Sequence, residues 1–366
     1  MHLYLHVPFC ARRCSYCDFA IAVRKQVPSA EYARRVAGEW EAWQSAPWWD
    51  EVGPIETIYF GGGTPSQVGA EAIERLLEVI RARRPVSAAA EITIEANPED
   101  VSAGLAAAWQ RAGVNRVSLG VQSFEPAVLE WMHRVHGPEQ PARAVAALRE
   151  AGIGNLSVDL IYAVPDSLER DWRADFDRAL ALAPDHISLY GLTVEAKTPL
   201  GRWVDRGAAQ PAEESRAADE YLEANARLRA AGFDHYEVSN AGRPGFHSRH
   251  NFAYWTRAPY LGLGPSAHSA VGNHRWWNVR DWARYRAVEA GGELAGEEHL
   301  TPDQVRLEEL YLGLRTRLGV AASMLPDDLP DRWAAAGWAS RVGSQVALTP
   351  DGWLRLDALV TQAAGA

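Results

Sequence analysis

Six short runs dense in β-branched and aromatic residues punctuate the first half of the chain, at 3–7, 55–60, 91–96, 116–120, 156–161 and 186–192. Each but the last is followed by a segment whose apolar residues recur at helical spacing, at 30–44, 70–83, 102–112, 139–151 and 168–182. Gly113, Gly152 and Pro184 follow three of these helices, where caps and stops belong. Strand and helix alternating at this spacing require a parallel sheet with right-handed crossovers. The predicted class is therefore α/β, and six such units make a partial (β/α)6 barrel or a strongly curved open sheet.

After about residue 200 the rhythm changes. A helix is predicted over 217–231 and a short strand over 235–239, followed by an aromatic- and histidine-rich loop region from Phe246 to Trp277. Further on, 308–317 reads as a helix and 346–348 as a strand. The expected organisation is a barrel at 1–200, a barrel extension carrying the histidine and aromatic residues at 201–295, and a small mixed α+β C-terminal domain at 296–366, with its boundary near 290–300.

The chemistry-bearing residues fall where the strands end, and parallel α/β barrels build their active sites on that rim. Cys10, Cys14 and Cys17 follow the first strand, Gly61-Gly62-Gly63-Thr64-Pro65 follows the second, and Glu95-Ala96-Asn97-Pro98 closes the third. Gln122-Ser123-Phe124 follows the fourth, Asp159 lies in the fifth, and Tyr190 lies near the end of the sixth.

Those cysteines are the only three in 366 residues, and their spacing is C-x3-C-x2-C. A [4Fe–4S] cluster normally takes four thiolates, so three leave one iron open to a ligand that is not protein. A structural zinc ion would need a fourth ligand from His2, His6 or a more distant histidine. Unligated, buried cysteines are the remaining reading, against which their clustering speaks. Glycines after the second strand let backbone approach a ligand closely. That loop matches neither the Walker nor the dinucleotide-binding spacing.

With 37 Lys and Arg against 47 Asp and Glu, the formal charge is −10. Such a surface offers no broad footprint for a phosphate backbone, and nucleic acid is excluded as a partner. The N-terminal residues form no secretory leader and no apolar run is long enough to span a membrane, so a cytoplasmic location is expected, which also suits thiol ligation.

Taken together, the cysteine loop and the Gly61-Gly62-Gly63-Thr64-Pro65 loop resemble the radical S-adenosylmethionine (SAM) superfamily. In that superfamily the open iron is chelated by SAM, which reduction of the cluster cleaves to a 5′-deoxyadenosyl radical. From Tyr4 to about Asp166 the chain resembles the coproporphyrinogen-oxidase-like branch, through Tyr4-Leu5-His6-Val7-Pro8-Phe9-Cys10, Gly120-Val121-Gln122-Ser123-Phe124 and Asp159-Leu160-Ile161-Tyr162. It is more closely similar to the haem chaperones of that branch, the HemW family. That likeness rests on Cys17-Asp18-Phe19, His186-Ile187-Ser188-Leu189-Tyr190, Tyr236-Glu237-Val238-Ser239-Asn240, His250-Asn251-Phe252-Ala253-Tyr254-Trp255 and Leu261-Gly262-Leu263-Gly264.

The resemblance implies that Cys10, Cys14 and Cys17 hold the cluster. It sets Tyr4, Gly62, Gly63, Thr64, Glu95, Gln122, Arg134 and Asp159 around SAM, with Arg134 as a fork for a carboxylate. For Glu95 and Asp159 the plain alternative is a cap or a barrel ion pair, and for Arg134 a solvated helix end. The true oxidases of the branch carry a further cysteine two positions after the third, where this chain has Phe19, and a longer segment before the cluster strand. The expected function is therefore a haem chaperone delivering haem to respiratory haem proteins, and the alternative is an oxygen-independent coproporphyrinogen III oxidase. In a third reading the cluster is only structural or regulatory. The electron donor is left unidentified.

His-Asn-x-x-Tyr-Trp is similar to a haem-binding motif of that family, with His250 as the expected ligand and His247 and His268 as substitutes. A hydrogen-bonded structural histidine is the plain alternative. The 15 tryptophans, including Trp40, Trp43, Trp48, Trp49, Trp276 and Trp277, are expected as core and interface anchors. They would also suit peripheral contact with a membrane-bound recipient, and a homodimer stays open.

Overall fold

The computed structural model describes residues 1–288 and 294–365. Part of the expected boundary region near 290–300 thus lies outside the described residues. The six predicted strands are β1 (His2–Val7), β2 (Ile55–Gly62), β3 (Val86–Ala96), β4 (Arg116–Gln122), β5 (Asn155–Tyr162) and β6 (His186–Gly191). They pair in chain order, all parallel. The intervening helices include α1 (Ser29–Ala42), α2 (Ala70–Arg83), α3 (Ala103–Ala112), α4 (Pro126–Trp131), α5 (Gln140–Glu150) and α6 (Trp172–Ala181).

Alternation along the strands explains why the sheet curves around a polar lumen. Leu3, Leu5, Ile58, Phe60, Ile92, Ile94, Val117, Leu119, Val158 and Leu160 join one buried apolar cluster with Ile73, Leu77, Trp109 and Phe176 from the helices. The alternate positions carry Tyr59, Glu95, Ser118 and Asp159, which bond to one another across the lumen: Tyr59 Oη donates to Glu95 Oε1 (2.8 Å) and Ser118 Oγ to Asp159 Oδ1 (3.0 Å). Arg116 is fully enclosed there. Burial works against its charge, yet Glu91 foremost, with Asp159 among the other neighbours, more than offsets this and holds its pKa above the ordinary arginine value.

Helix ends follow local chemistry. Ser102 accepts from the Leu105 N–H at the start of α3, and Gly113 closes that helix in the left-handed conformation at φ 103°.

The segment expected as a loop from Phe246 to Trp277 is instead largely regular. It contains a helix at Arg249–Trp255 and strands at Tyr260–Leu263, His268–Val271 and His274–Asn278. With β7 (Asp234–Glu237), β8 (Asn240–Gly242), β9 (Tyr260–Leu263), β10 (His268–Val271), β11 (His274–Asn278) and β12 (Leu294–His299), the described sheet has twelve strands in the order β12-β11-β10-β9-β1-β2-β3-β4-β5-β6-β8-β7. Strands of four or five residues separated by glycine turns leave too short a period-two signal to read from sequence. Beyond them, a helix at Pro302–Leu314 and a three-stranded antiparallel sheet enclose a separate apolar cluster around Trp333, Trp353, Leu314 and Leu359.

Trp43, Trp48 and Trp276 pack together, with ring centroids 5.1 Å apart for Trp43 and Trp276, and Trp40 meets Trp49 edge-on at 5.5 Å. Among the described residues no helix is long and apolar enough to cross a membrane.

Glu39 fastens α1 to the added strands. Its buried carboxylate accepts from the Gly264 N–H (2.8 Å), Asn278 Nδ2 (2.6 Å) and Tyr285 Oη (2.6 Å). Glu39→Ala strands three buried donors at once, an expected loss of about 3 kcal/mol. Thermal unfolding followed by circular dichroism should drop by several degrees, and an unchanged transition would show that the junction does not depend on this carboxylate.

Candidate functional site

The cysteine loop leaves β1 and is tied down at both ends and in the middle. Phe9–Cys10 pairs in parallel with Ala22–Val23, and His6 Nε2 lies 3.1 Å from the Ala20 carbonyl oxygen. At the centre, the buried Ser15 donates its N–H to Met132 O (3.2 Å) and accepts at its carbonyl from the Leu200 N–H (2.8 Å). Cys10, Cys14 and Cys17, between these anchors, are reduced and only partly covered. All three line one cavity of about 420 Å³ at the C-terminal rim of the parallel strands.

Gly62, Gly63, Thr64, Glu95, Gln122, Arg134 and Asp159 line the same cavity. Gly62 sits at φ 118°, and a Cβ on Gly63 would come within 2.7 Å of the Phe9 carbonyl and 3.0 Å of Cys10 Sγ. The glycine loop can therefore lie against the cysteine loop only without side chains. Gln122 holds a left-handed conformation, φ 67°, uncommon for a residue with a side chain and frequent at functional sites.

Glu95 takes a hydrogen bond on each oxygen, from Tyr59 Oη and from the Gly62 N–H (3.0 Å). Burial still pushes its pKa up to about 7. Asp159 is also raised by burial, with the Ser188, Ser118 and Ser157 hydroxyls pulling the other way. Arg134 reaches Asn97 Oδ1 (2.6 Å), the Gly120 carbonyl (2.7 Å) and Cys14 Sγ (3.7 Å), while its buried Nε is unpartnered among the described residues. Thr64 Oγ1 donates to Cys10 Sγ at 3.4 Å.

Two expected site residues lie elsewhere. Tyr4 does not line this cavity; its hydroxyl lies 3.1 Å from His6 Nδ1, and its ring faces a second cavity on the β9 side of β1. His250 is buried in the lumen, Nδ1 2.6 Å from Thr57 Oγ1 and Nε2 2.8 Å from Tyr254 Oη, so both ring nitrogens are engaged. Its backbone N–H and that of Arg249 are held by the Glu91 carboxylate. Of the substitute histidines, His247 Nε2 faces Asp234 Oδ2 at 3.4 Å, and His268 is exposed.

Residues that sequence reasoning did not assign to the site are Tyr59 and Ser118, which hold Glu95 and Asp159, and Asn97, which holds Arg134. Inward alternation would have found the first two: Tyr59 stands beside Tyr4 in register, Ser118 beside Glu95.

The residues present suit an iron–sulfur cluster with a small polar cofactor beside it. Burial pushes the Cys10 thiol up to about 11 and raises Cys17 as well, so ionising them calls for a bound metal centre, which deprotonates its thiol ligands. Among the described residues, no three His, Cys, Asp or Glu side chains converge on the position of one metal ion. A cluster spreads its thiolates over separate irons, and three thiols that do not meet at one point suit it better than a tetrahedral zinc ion. Donors from Thr64 and Arg134 to two of the sulfurs would further stabilise thiolate charge.

The Radical SAM superfamily profile matches residues 4–179. The chain is 38% identical over 363 residues to the heme chaperone HemW of Mycobacterium tuberculosis H37Rv, covering 98% of this chain and 93% of that protein. Escherichia coli K12 HemW is 37% identical over 272 residues, 74% of this chain and 70% of its own. The radical S-adenosyl methionine domain-containing protein 1, mitochondrial, of Bos taurus is 34% identical over 361 residues, 98% of this chain and 76% of its own. The solved coproporphyrinogen III oxidase HemN of Escherichia coli superposes with a TM-score of 0.82 over 99% of this chain and 89% of that one, at 22% identity, which shows a shared fold. With its cysteine loop on a six-stranded parallel rim and its likeness running nearly end to end, the chain belongs to the HemW family of the radical SAM superfamily.

Proposed function

We propose that the protein is a haem chaperone that carries a [4Fe–4S] cluster and SAM, binds haem as cargo and passes it to haem-requiring respiratory proteins. The observation that carries the reading is likeness to the heme chaperone HemW over 98% of the chain. Phe19 supports it over porphyrinogen oxidation: the position where the branch's oxidases place another cysteine holds a side chain 58% exposed at the mouth of the cysteine cavity.

In this reading Cys10, Cys14 and Cys17 would hold the cluster and leave one iron open to a ligand that is not protein. The cluster, once bound and reduced, supplies an electron to SAM. The chain's own part is positioning. Gly62 and Gly63 would offer backbone to the methionine end, Thr64 steadies Cys10, and Arg134, which reaches Cys14, would supply a guanidinium for the carboxylate. Asp159 and Glu95 would take the ribose or the ammonium, with Gln122 beside them on the cavity wall. Tyr59 and the serine hydroxyls fix where those carboxylates point, so charge is preorganised before the cofactor enters. Passing haem from one protein to another makes and breaks only bonds to iron, and the same residues serve whether SAM is cleaved or only sets the conformation of the rim.

Cys14→Ala should reduce anaerobically reconstituted iron from about four per chain to near zero, measured by iron and sulfide analysis. Asp159→Asn should keep its iron and weaken SAM binding about tenfold, read by calorimetry; full-strength binding would remove Asp159 from the cofactor site. Wild-type protein with a verified cluster, SAM, a strong reductant and coproporphyrinogen III should form no protoporphyrinogen and should bind haem at micromolar concentration. Chromatographic detection of protoporphyrinogen would make it an oxidase instead.

A further inference from the structure

The stretch that carries the three thiols is basic on a chain that is acidic overall. Residues 1–30 hold four Lys and Arg side chains, Arg12, Arg13, Arg24 and Lys25, against one acid, Asp18, while the whole chain carries a charge of −10. All four cations are exposed, and none makes an ion pair among the described residues. Exposed arginines elsewhere meet carboxylates, as Arg83 meets Glu41 and Arg332 meets Asp328. Arg280, two residues past β11 and also exposed, brings a fifth cation to the loop, with Nη2 donating to the Asp18 carbonyl (2.6 Å).

These cations are fastened to the backbone that bears the thiols. The Arg24 N–H donates to the Cys10 carbonyl (2.9 Å), and Arg13 Nη1 donates to the Cys17 carbonyl (3.4 Å). Arg12 lines the cysteine cavity, whereas Arg13, Arg24, Lys25 and Arg280 stand outside it. Two apolar side chains are exposed among them: Phe19, next to Asp18, and Val23, which pairs with Cys10 and is 45% exposed. Unpaired charge of one sign beside exposed apolar groups suits a protein partner of the opposite sign.

A cluster in this loop has no relay of its own kind within the chain. All three cysteines belong to the one loop, so no thiolates remain for a second cluster, and the glycine loop lacks dinucleotide-binding spacing. We propose that the outer face of the cysteine loop, with Arg13, Arg24, Lys25 and Arg280 beside Phe19 and Val23, docks an acidic one-electron carrier protein whose flavin or iron–sulfur group reduces the cluster. The proposal rests on the cluster reading above. One electron passes from the reduced carrier to the cluster, which goes from [4Fe–4S]²⁺ to [4Fe–4S]⁺ as the carrier is oxidised by one electron. No bond is made or broken and no proton moves. A carrier on this outer face leaves the cavity side of the loop to the cofactor.

The test uses the reconstituted full chain with an acidic flavodoxin as the probe, calorimetry for binding and stopped-flow absorbance for cluster reduction. The double variant Arg24→Glu/Lys25→Glu should bind flavodoxin about tenfold more weakly and be reduced by it about tenfold more slowly at low ionic strength, and the gap should close near 0.5 M salt, roughly where screening removes steering. Arg75→Glu/Arg111→Glu, the same charge change at two exposed positions of α2 and α3, should match wild type. Iron content, circular dichroism and reduction by photoexcited deazaflavin should be the same in all three proteins, which separates lost docking from a damaged cluster. The proposal is overturned if the loop variant matches wild type, if the control variant falls equally, or if wild type neither binds flavodoxin nor is reduced by it. It is also overturned if the loop variant loses binding to phosphatidylglycerol vesicles while flavodoxin still reduces it normally, which would make the patch a lipid contact. A wild-type chain that reconstitutes no cluster overturns the cluster reading itself, and the proposal with it.

Discussion

The structure depends on one constraint, the two-faced alternation of six parallel strands. Each strand must bury Leu, Ile, Val or Phe against helices on one side, and on the other it is free to carry polar groups into a lumen. In many parallel α/β folds both faces are apolar. Here the inner face holds Arg116, Glu91, Glu95 and Asp159, and charges this deep are tolerable because each has partners within the lumen. Register then does the positioning: Glu95 stands beside Ser118, Gly120 beside Asp159, and Asp159 beside Ser188. A slip of one residue would turn every one of these side chains into the apolar layer.

On that rigid frame the cysteine loop needs little of its own structure. It is pinned by Ser15, His6 and a two-residue parallel pairing, and it lies against glycines that no Cβ-bearing residue could replace. Burial raises the Cys10 and Cys17 thiol pKa values, so these thiols stay protonated until a metal centre takes their protons. The same lumen runs from the cysteine cavity through Tyr59 and His250 to Tyr254, linking two cavities by hydrogen bonds and ring stacks.

Much of this was legible in the chain. The six strands and their helices announced themselves through short β-rich runs alternating with helical periodicity, and the rim followed because cysteine, glycine, carboxylate and glutamine motifs fell in or just after successive strands. Less legible was the region from Phe246 onward. Its strands are short, rich in histidine and tryptophan and interrupted by glycine, and the pairing of β9 with β1 that joins them to the sheet is a long-range contact that no local pattern encodes. Tyr4 and His250 show the same gap at the level of the site. Motif membership named them, but whether a side chain faces the rim, the lumen or a neighbouring groove is decided by strand register and by partners such as Thr57 and Tyr254.

The central claim is that three thiolates hold a cluster whose fourth iron faces the glycine and carboxylate rim. Electron paramagnetic resonance of the reconstituted, reduced protein, recorded with and without SAM, tests it most directly. The account predicts a [4Fe–4S]⁺ signal whose g-values change when SAM is added, because the cofactor binds the open iron. A signal that is indifferent to saturating SAM, or a single bound metal ion in place of a cluster, would contradict it.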